Sequence, residues 1–127
     1  RKCIILSNGY FEWKVEEKEK FPYYIHIPYQ EPIYFAGIWR VEKKDNIQIH
    51  VCNILTKEAN YKIKNIHNRM PVVFSISEAI SYLNHKEDKY KDSLIKSEIE
   101  EEIDFYKISK KINNPKNNCK ECLFPLN

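Results

Sequence analysis

Two short stretches of the chain hold residue types whose spacing suits chemistry. The first is Asn8-Gly9-Tyr10-Phe11-Glu12-Trp13-Lys14, where one carboxylate sits in an aromatic run just after a glycine turn. Side chains alternate faces along a strand, so Phe11 and Trp13 are expected to face the core and Glu12 a cleft or solvent. Desolvation between bulky aromatics would suit Glu12 to general acid–base work. A strand glutamate pointing to water is the alternative, and chemistry alone favours it. The second stretch is Ile66-His67-Asn68-Arg69-Met70-Pro71. Histidine is the side chain whose charge changes near neutral pH, and Arg69 shares the face of His67 in an extended segment. Side by side they could read a phosphate and exchange a proton. Pro71 holds Met70 extended. The alternative is a structural histidine in a loop before a strand.

Other chemistries find little footing. Gly9 and Gly37 are the only glycines, which removes phosphate-binding and dinucleotide-binding glycine loops. Neither a G-x-S-x-G nucleophile turn nor a His-x-x-x-His pair is present. Cys119-Lys-Glu-Cys122 lacks a second ligand pair at zinc spacing, and Cys3 and Cys52 are isolated. The expectation is two unremarkable tail cysteines, reduced thiols, no metal and no cofactor. His26, His50 and His85 read as structural or exposed. Tyr23, Tyr24 and Tyr34 read as sheet packing rather than a base-stacking platform.

These residues need a scaffold, and 127 residues make one domain. Apolar residues are 43% of the chain, enough for a core, and the 31% charged fraction is too mixed in sign for disorder. Residues 33–38 are among the longest apolar runs, far short of the roughly 20 residues a spanning helix needs. No leader is visible, so an intracellular, membrane-free monomer is expected. The opening Arg-Lys-Cys-Ile-Ile-Leu already has strand character, which suggests that the N-terminal part of a longer protein is missing. Residues 1–71 carry 12 basic and 8 acidic side chains, residues 72–104 carry 4 and 9, and residues 105–127 carry 5 and 1. That basic body permits an anionic partner, although a chain rich in Lys, Asn and Ile explains it as well.

Strands are expected over residues 2–6, 10–14, 21–28, 32–40, 47–56, 71–74 and 105–108. A turn follows at Ser7-Asn8-Gly9, a charged hairpin tip over 15–20, and another turn at Lys43-Lys44-Asp45-Asn46. Residues 29–31 link two of the strands. Residues 56–65 read as a short helix. Ser75-Ile-Ser-Glu78 fits a capping box, with Ile76, Ala79, Ile80 and Leu83 as the apolar face behind it. Residues 86–104, with Leu94, Ile95, Ile99 and Ile103, read as a solvated helix or loop. The class is α+β: a mostly antiparallel, barrel-like twisted sheet with a few short helices.

The two stretches occur together, in order, with matching surroundings. Residues 3–14 resemble the signature R-C-I/L-I/V-P-x-D/N-G-F/Y-F/Y-E-W of the SOS-response-associated peptidase (SRAP) family. Phe21-Pro22-Tyr23-Tyr24-Ile25 looks like its next strand, and Phe35-Ala36-Gly37-Ile38-Trp39 like its F-A-G-I/L-W/Y. Residues 54–60 resemble its T-x-x-A-N segment, and residues 66–71 its I-H-x-R-M-P, with Asn68 where Asp is frequent. Residues 112–118 resemble its Asn-rich tail. The whole chain then reads as one SRAP-like domain, 1–127, without its N-terminal part.

The resemblance implies an abasic-site sensor. Such proteins bind single-stranded DNA and link covalently to abasic sites, with an associated self-processing peptidase activity. The nucleophile is an N-terminal Cys, whose amine forms a Schiff base with the sugar aldehyde and whose thiolate closes a thiazolidine. By motif position Glu12 and His67 are catalytic. Trp13, Thr56, Arg69, Met70 and Pro71 are DNA-binding. The family's Met-Cys-Gly-Arg and Asn-Ala-Arg segments have no counterpart in residues 1–127. A non-catalytic single-stranded-DNA or protein-binding fragment of the same fold is therefore the alternative.

Overall fold

A computed structural model of the chain describes residues 1–29, 32–84 and 97–126. The readings placed on Gln30, Glu31, His85, Leu94 and Ile95 lie outside the described residues. β1 (Lys2–Ser7) and β2 (Tyr10–Glu16) enter two different sheets. β2 turns at Glu17 and Lys18, both at positive φ, into β3 (Glu19–His26). β4 (Ile33–Lys44) turns at Asp45 and Asn46, again at positive φ, into β5 (Ile47–Ile54). Two central residues at positive φ give the twist that two-residue hairpins need.

β6 (Thr56–Glu58), β7 (Arg69–Pro71) and β8 (Val73–Phe74) follow, then α1 (Ile76–Asn84) and β9 (Asp104–Lys107). One sheet runs β1-β4-β5 with β8 on β4; a second runs β2-β3-β9; a third pairs β6 with β7. All pairings are antiparallel, and the class is α+β as expected. The sheets are not closed, so the barrel-like outline gives way to open layers.

The β1-β4-β8 region separates two cores. Ile5, Phe35 and Val73 point towards Ile25 and Tyr10 of the second sheet, and Ile63, Met70 and Ile103 join them. Ile4, Tyr34, Ala36 and Phe74 point the other way, onto Ala79 and Tyr82 of α1. The alternation is the period-2 signature of a strand buried on both faces. At Ala36, β4 passes from one neighbour to another: Ala36 N–H donates to Val72 O at 3.0 Å, and Ala36 O accepts from Leu55 N–H at 2.8 Å.

The expected capping box forms. Ser75 N–H donates to Glu78 Oε2 at 2.8 Å, and Glu78 N–H donates to Ser75 Oγ at 3.3 Å. The expected helix face is corrected, because Ala79 and Tyr82 are buried whereas Ile76, Ile80 and Leu83 are exposed. Tyr82 turns the helix, donating its hydroxyl to Gly37 O at 2.9 Å and packing on Phe74. The expected helix over residues 56–65 is also corrected to strand β6 followed by turns. Of the acidic segment, residues 97–104 are no solvated helix: Ile99, Glu100 and Ile103 are buried around a 3₁₀ turn at Glu100–Glu102.

Gly9 makes the passage between sheets. A Cβ there would lie 2.5 Å from the Tyr24 ring and hydroxyl and 2.6 Å from Ile25 O. Tyr24 is itself wedged between Phe11, His26 and Tyr106, so it has nowhere to move. Gly9→Ala is expected to lower the unfolding free energy by about 1–3 kcal/mol, the usual range for overpacking, as read from urea denaturation. A variant as stable as the parent would show that the two sheets are not pinned here.

Candidate functional site

β2 presents Glu12 on the face it shares with Tyr10. Register pairs Tyr10 with Ile25 and Glu12 with Tyr23. That face turns inward, since Tyr10 packs on the core and meets Phe35 edge-on at 5.9 Å. Phe11 and Trp13 cover the outer face, with Phe11 against Tyr24. The expected alternation is present with its faces exchanged. The swap puts Glu12 at the rim of the core rather than in open water, and its side chain is 24% exposed.

The chain brings His67 to the same rim by turns. Asn60 Oδ1 accepts from the N–H groups of Lys62 and Ile63, both at 3.1 Å, and His67 N–H donates to Ile63 O at 3.0 Å. Ile63 and Ile66 drop into the core and anchor the turn. His67 Nδ1 then lies 3.9 Å from Glu12 Oε2. Trp13 N–H donates to the other carboxylate oxygen, Oε1, at 3.2 Å. Nδ1 also lies 3.1 Å from Arg69 N and 3.2 Å from Arg69 O, so the Arg69 backbone holds the ring in either tautomer.

The β6–β7 pair supplies the rest of the rim. Arg69 Nη2 donates to Thr56 O at 2.6 Å and to Thr56 Oγ1 at 3.1 Å. Pro71 is half-buried opposite Thr56 in the ladder. Met70, to which the resemblance assigns a DNA contact, lies inside the protein. The residue is 1% exposed in the core, and Asn60 N–H approaches its Sδ at 3.3 Å, so it anchors the strand. Trp13 stands on the outer face of β2, its Nε1–H donating to Asn113 Oδ1 at 2.8 Å.

Three neighbours have no local sequence signal. Asn113 comes from a 3₁₀ turn at Lys110–Asn113, far along the chain. Tyr10 has a buried hydroxyl without a hydrogen-bond partner among the described residues; burial first, and then the Glu12 charge, push that phenol above its ordinary range. Glu16 accepts from Lys107 Nζ at 2.7 Å and from Tyr23 OH at 2.9 Å, and these bonds hold its carboxyl down at about 2. Lys107 and Lys110 both lie over the Phe21 ring, at 3.6 and 4.2 Å from its centroid. Among the described residues no three His, Cys, Asp or Glu side chains gather as a metal site. No helix among them is long and apolar enough to cross a membrane.

Known proteins resemble most of this chain. The family model described as SOS response associated peptidase (SRAP) matches residues 1–115. Abasic site processing protein YoaM of Bacillus subtilis is 32% identical over 97% of this chain and 56% of its own length. Abasic site processing protein HMCES of Xenopus tropicalis is 27% identical over 97% of this chain and 43% of its own length. A crystal structure of a protein from Bacteroides thetaiotaomicron superposes with a TM-score of 0.85 at 28% identity, over 98% of this chain and 56% of that one. The chain thus spans about half the length of these relatives.

The Glu16 cluster ties β2 to β9 and gives a direct test of the electrostatics. A carboxyl whose folded pKa is depressed stabilises the fold above its ordinary range, and that contribution fades as pH falls from 4.5 through about 2. Lys107→Met is expected to move the Glu16 titration, followed by carboxyl NMR, upward towards 4.5. A midpoint that stays near 2 would assign the depression to something other than Lys107.

Proposed function

The chain belongs to the SRAP family, and from that premise we propose that it carries the DNA-binding face and acid–base pair of an abasic-site sensor. Its partner is single-stranded DNA containing an abasic site, and its product is a covalent thiazolidine crosslink through an N-terminal Cys. The self-processing peptidase activity of the family would draw on the same groups. One observation carries the reading: Glu12 and His67, far apart in sequence, lie 3.9 Å apart, with the His67 ring held against the Arg69 backbone.

The chemistry follows from those atoms. A closed abasic sugar must open to its aldehyde, which needs a proton delivered to the ring oxygen and another removed from the hydroxyl. The His67 ring, as imidazolium, is the donor, and the Glu12 carboxylate is the acceptor. The N-terminal amine then attacks the aldehyde and water leaves, giving the Schiff base. The thiolate of the same residue adds to the imine carbon as the imine nitrogen takes up a proton. Only an N-terminal Cys holds a free amine and a thiol on adjacent carbons. Cys3, Cys52, Cys119 and Cys122 have their nitrogens in peptide bonds and cannot close this ring. Arg69 binds a phosphate while Thr56 fixes its fork, and Trp13 offers a stacking face to a base.

Two measurements test the proposal. Affinity for single-stranded DNA should fall as salt rises, because phosphate neutralisation releases counterions. Arg69→Ala should weaken it and flatten the log–log salt slope by about one. Salt-independent binding would count against a phosphate role.

In a protein where an N-terminal Cys accompanies this domain, abasic single-stranded DNA should give a denaturation-resistant adduct. Glu12→Ala or His67→Ala should slow its formation by about 10²–10⁴-fold while leaving binding intact. Binding without any adduct in the unsubstituted protein would favour the non-catalytic reading.

A further inference from the structure

The matched family region ends at residue 115, and the chain beyond it carries chemistry the site does not use. Cys119 is extended, with φ −137° and ψ 160°, and caps the 3₁₀ turn Lys120–Leu123. Cys122 N–H donates to Cys119 O at 3.1 Å. In a 3₁₀ turn, side chains at i and i+3 eclipse one another, and the two sulfurs lie 3.6 Å apart. They are unequal: Cys119 is exposed, whereas Cys122 is 3% exposed and sits 3.8 Å from Asn117 O. The segment is anchored rather than loose. Leu126 N–H donates to Lys107 O at 2.9 Å, Pro125 bridges to Ile108, and Asn117 Nδ2 donates to Lys111 O at 2.7 Å.

We propose that Cys119 and Cys122 form a thiol–disulfide exchange site for low-molecular-weight disulfides, with Cys119 the attacking and Cys122 the resolving thiol. Accessibility sets the order. The Cys119 thiolate attacks one sulfur of the small disulfide, breaking its S–S bond, expelling one thiolate and forming a mixed disulfide. The Cys122 thiolate then attacks Cys119 Sγ, expels the second thiolate and closes the Cys119–Cys122 bond. Two protein thiols are oxidised, one small disulfide is reduced to two thiols, and the two protein protons pass to the departing thiolates. The Glu121 carboxylate and the Cys122 sulfur beside Cys119 push its thiol up. A raised thiol has a smaller thiolate fraction, so the Cys119 attack is expected to quicken as pH rises above neutrality. The loop the disulfide closes is too short to constrain the unfolded chain strongly, so the pair is a reactive site rather than a staple.

The test is incubation of the protein with glutathione disulfide, followed by intact mass and peptide mapping. The expected product has lost two hydrogens, carries no glutathione at this pair, and maps to a Cys119–Cys122 bond. Cys122→Ser should stall as a glutathione adduct on Cys119. In Cys119→Ser, buried Cys122 should stay reduced. Far-UV circular dichroism checks that both serine variants fold, and the unsubstituted protein decides the matter alone. A glutathione adduct left standing on its Cys119, or a pair still reduced after exposed Cys52 has reacted, would overturn the proposal.

Discussion

The contact of Gly9 with Tyr24 and Ile25 is the constraint from which the site follows. β1 and β2 are consecutive yet lie in different sheets, so the chain must cross between layers in two residues. It can do so only where its backbone presses on the neighbouring strand without a side chain in between. That approach fixes the β2–β3 register, with Tyr10 against Ile25, and the register decides which face of β2 turns inward. Had the strand slipped by one residue, Phe11 and Trp13 would fill the core and Glu12 would move to the outer face.

The central sheet sets the other half of the geometry. β4 is long enough to be paired on one edge by β8 and then by β5, and the change of partner at Ala36 threads Leu55 and Val72 past the same point. Thr56 and Pro71, the next residues out, are therefore brought into register as the start of the β6–β7 pair. Arg69 sits at the far end of that three-residue ladder and His67 two residues beyond. The rim of the site is an extension of the core's hydrogen bonding, not a free loop laid over it.

What could be read from sequence was what short-range physics decides. The capping box at Ser75 and Glu78 involves residues three apart, and the two hairpin tips are set by four residues each. The helix expected over residues 56–65 fails because Thr56–Glu58 finds its partners in Arg69–Pro71, which no local window contains. The buried face of α1 depends on Tyr82 reaching Gly37, a contact between distant segments. The exchanged faces of β2 and the burial of Met70 have the same origin. Both sequences alternate correctly, but which side is inside is a property of the packed layers. The nearness of Glu12 and His67 lay beyond periodicity altogether; only the ordered set of motifs pointed to it.

The β6–β7 pair is too short to be stable by itself, and a buried ion pair answers for its position. Lys57 Nζ, on β6, meets Glu100 Oε2, and both side chains are largely buried. Glu100 is further satisfied by Ser97 N–H at 3.3 Å, and its backbone oxygen accepts from Asn60 Nδ2 at 2.9 Å. A buried pair adds little net stability against an apolar substitute, whereas losing one partner leaves an uncompensated charge. Its worth here is therefore positional. It joins the acidic segment to the strand carrying Thr56, and it holds Asn60 where its side chain caps the turn that ends in His67. The residues that face the site and those that fix its rim are thus different sets: the first are polar and partly exposed, the second buried beneath them. Substitutions at Lys57 or Glu100 would reach Arg69 and His67 through the backbone, without touching either side chain.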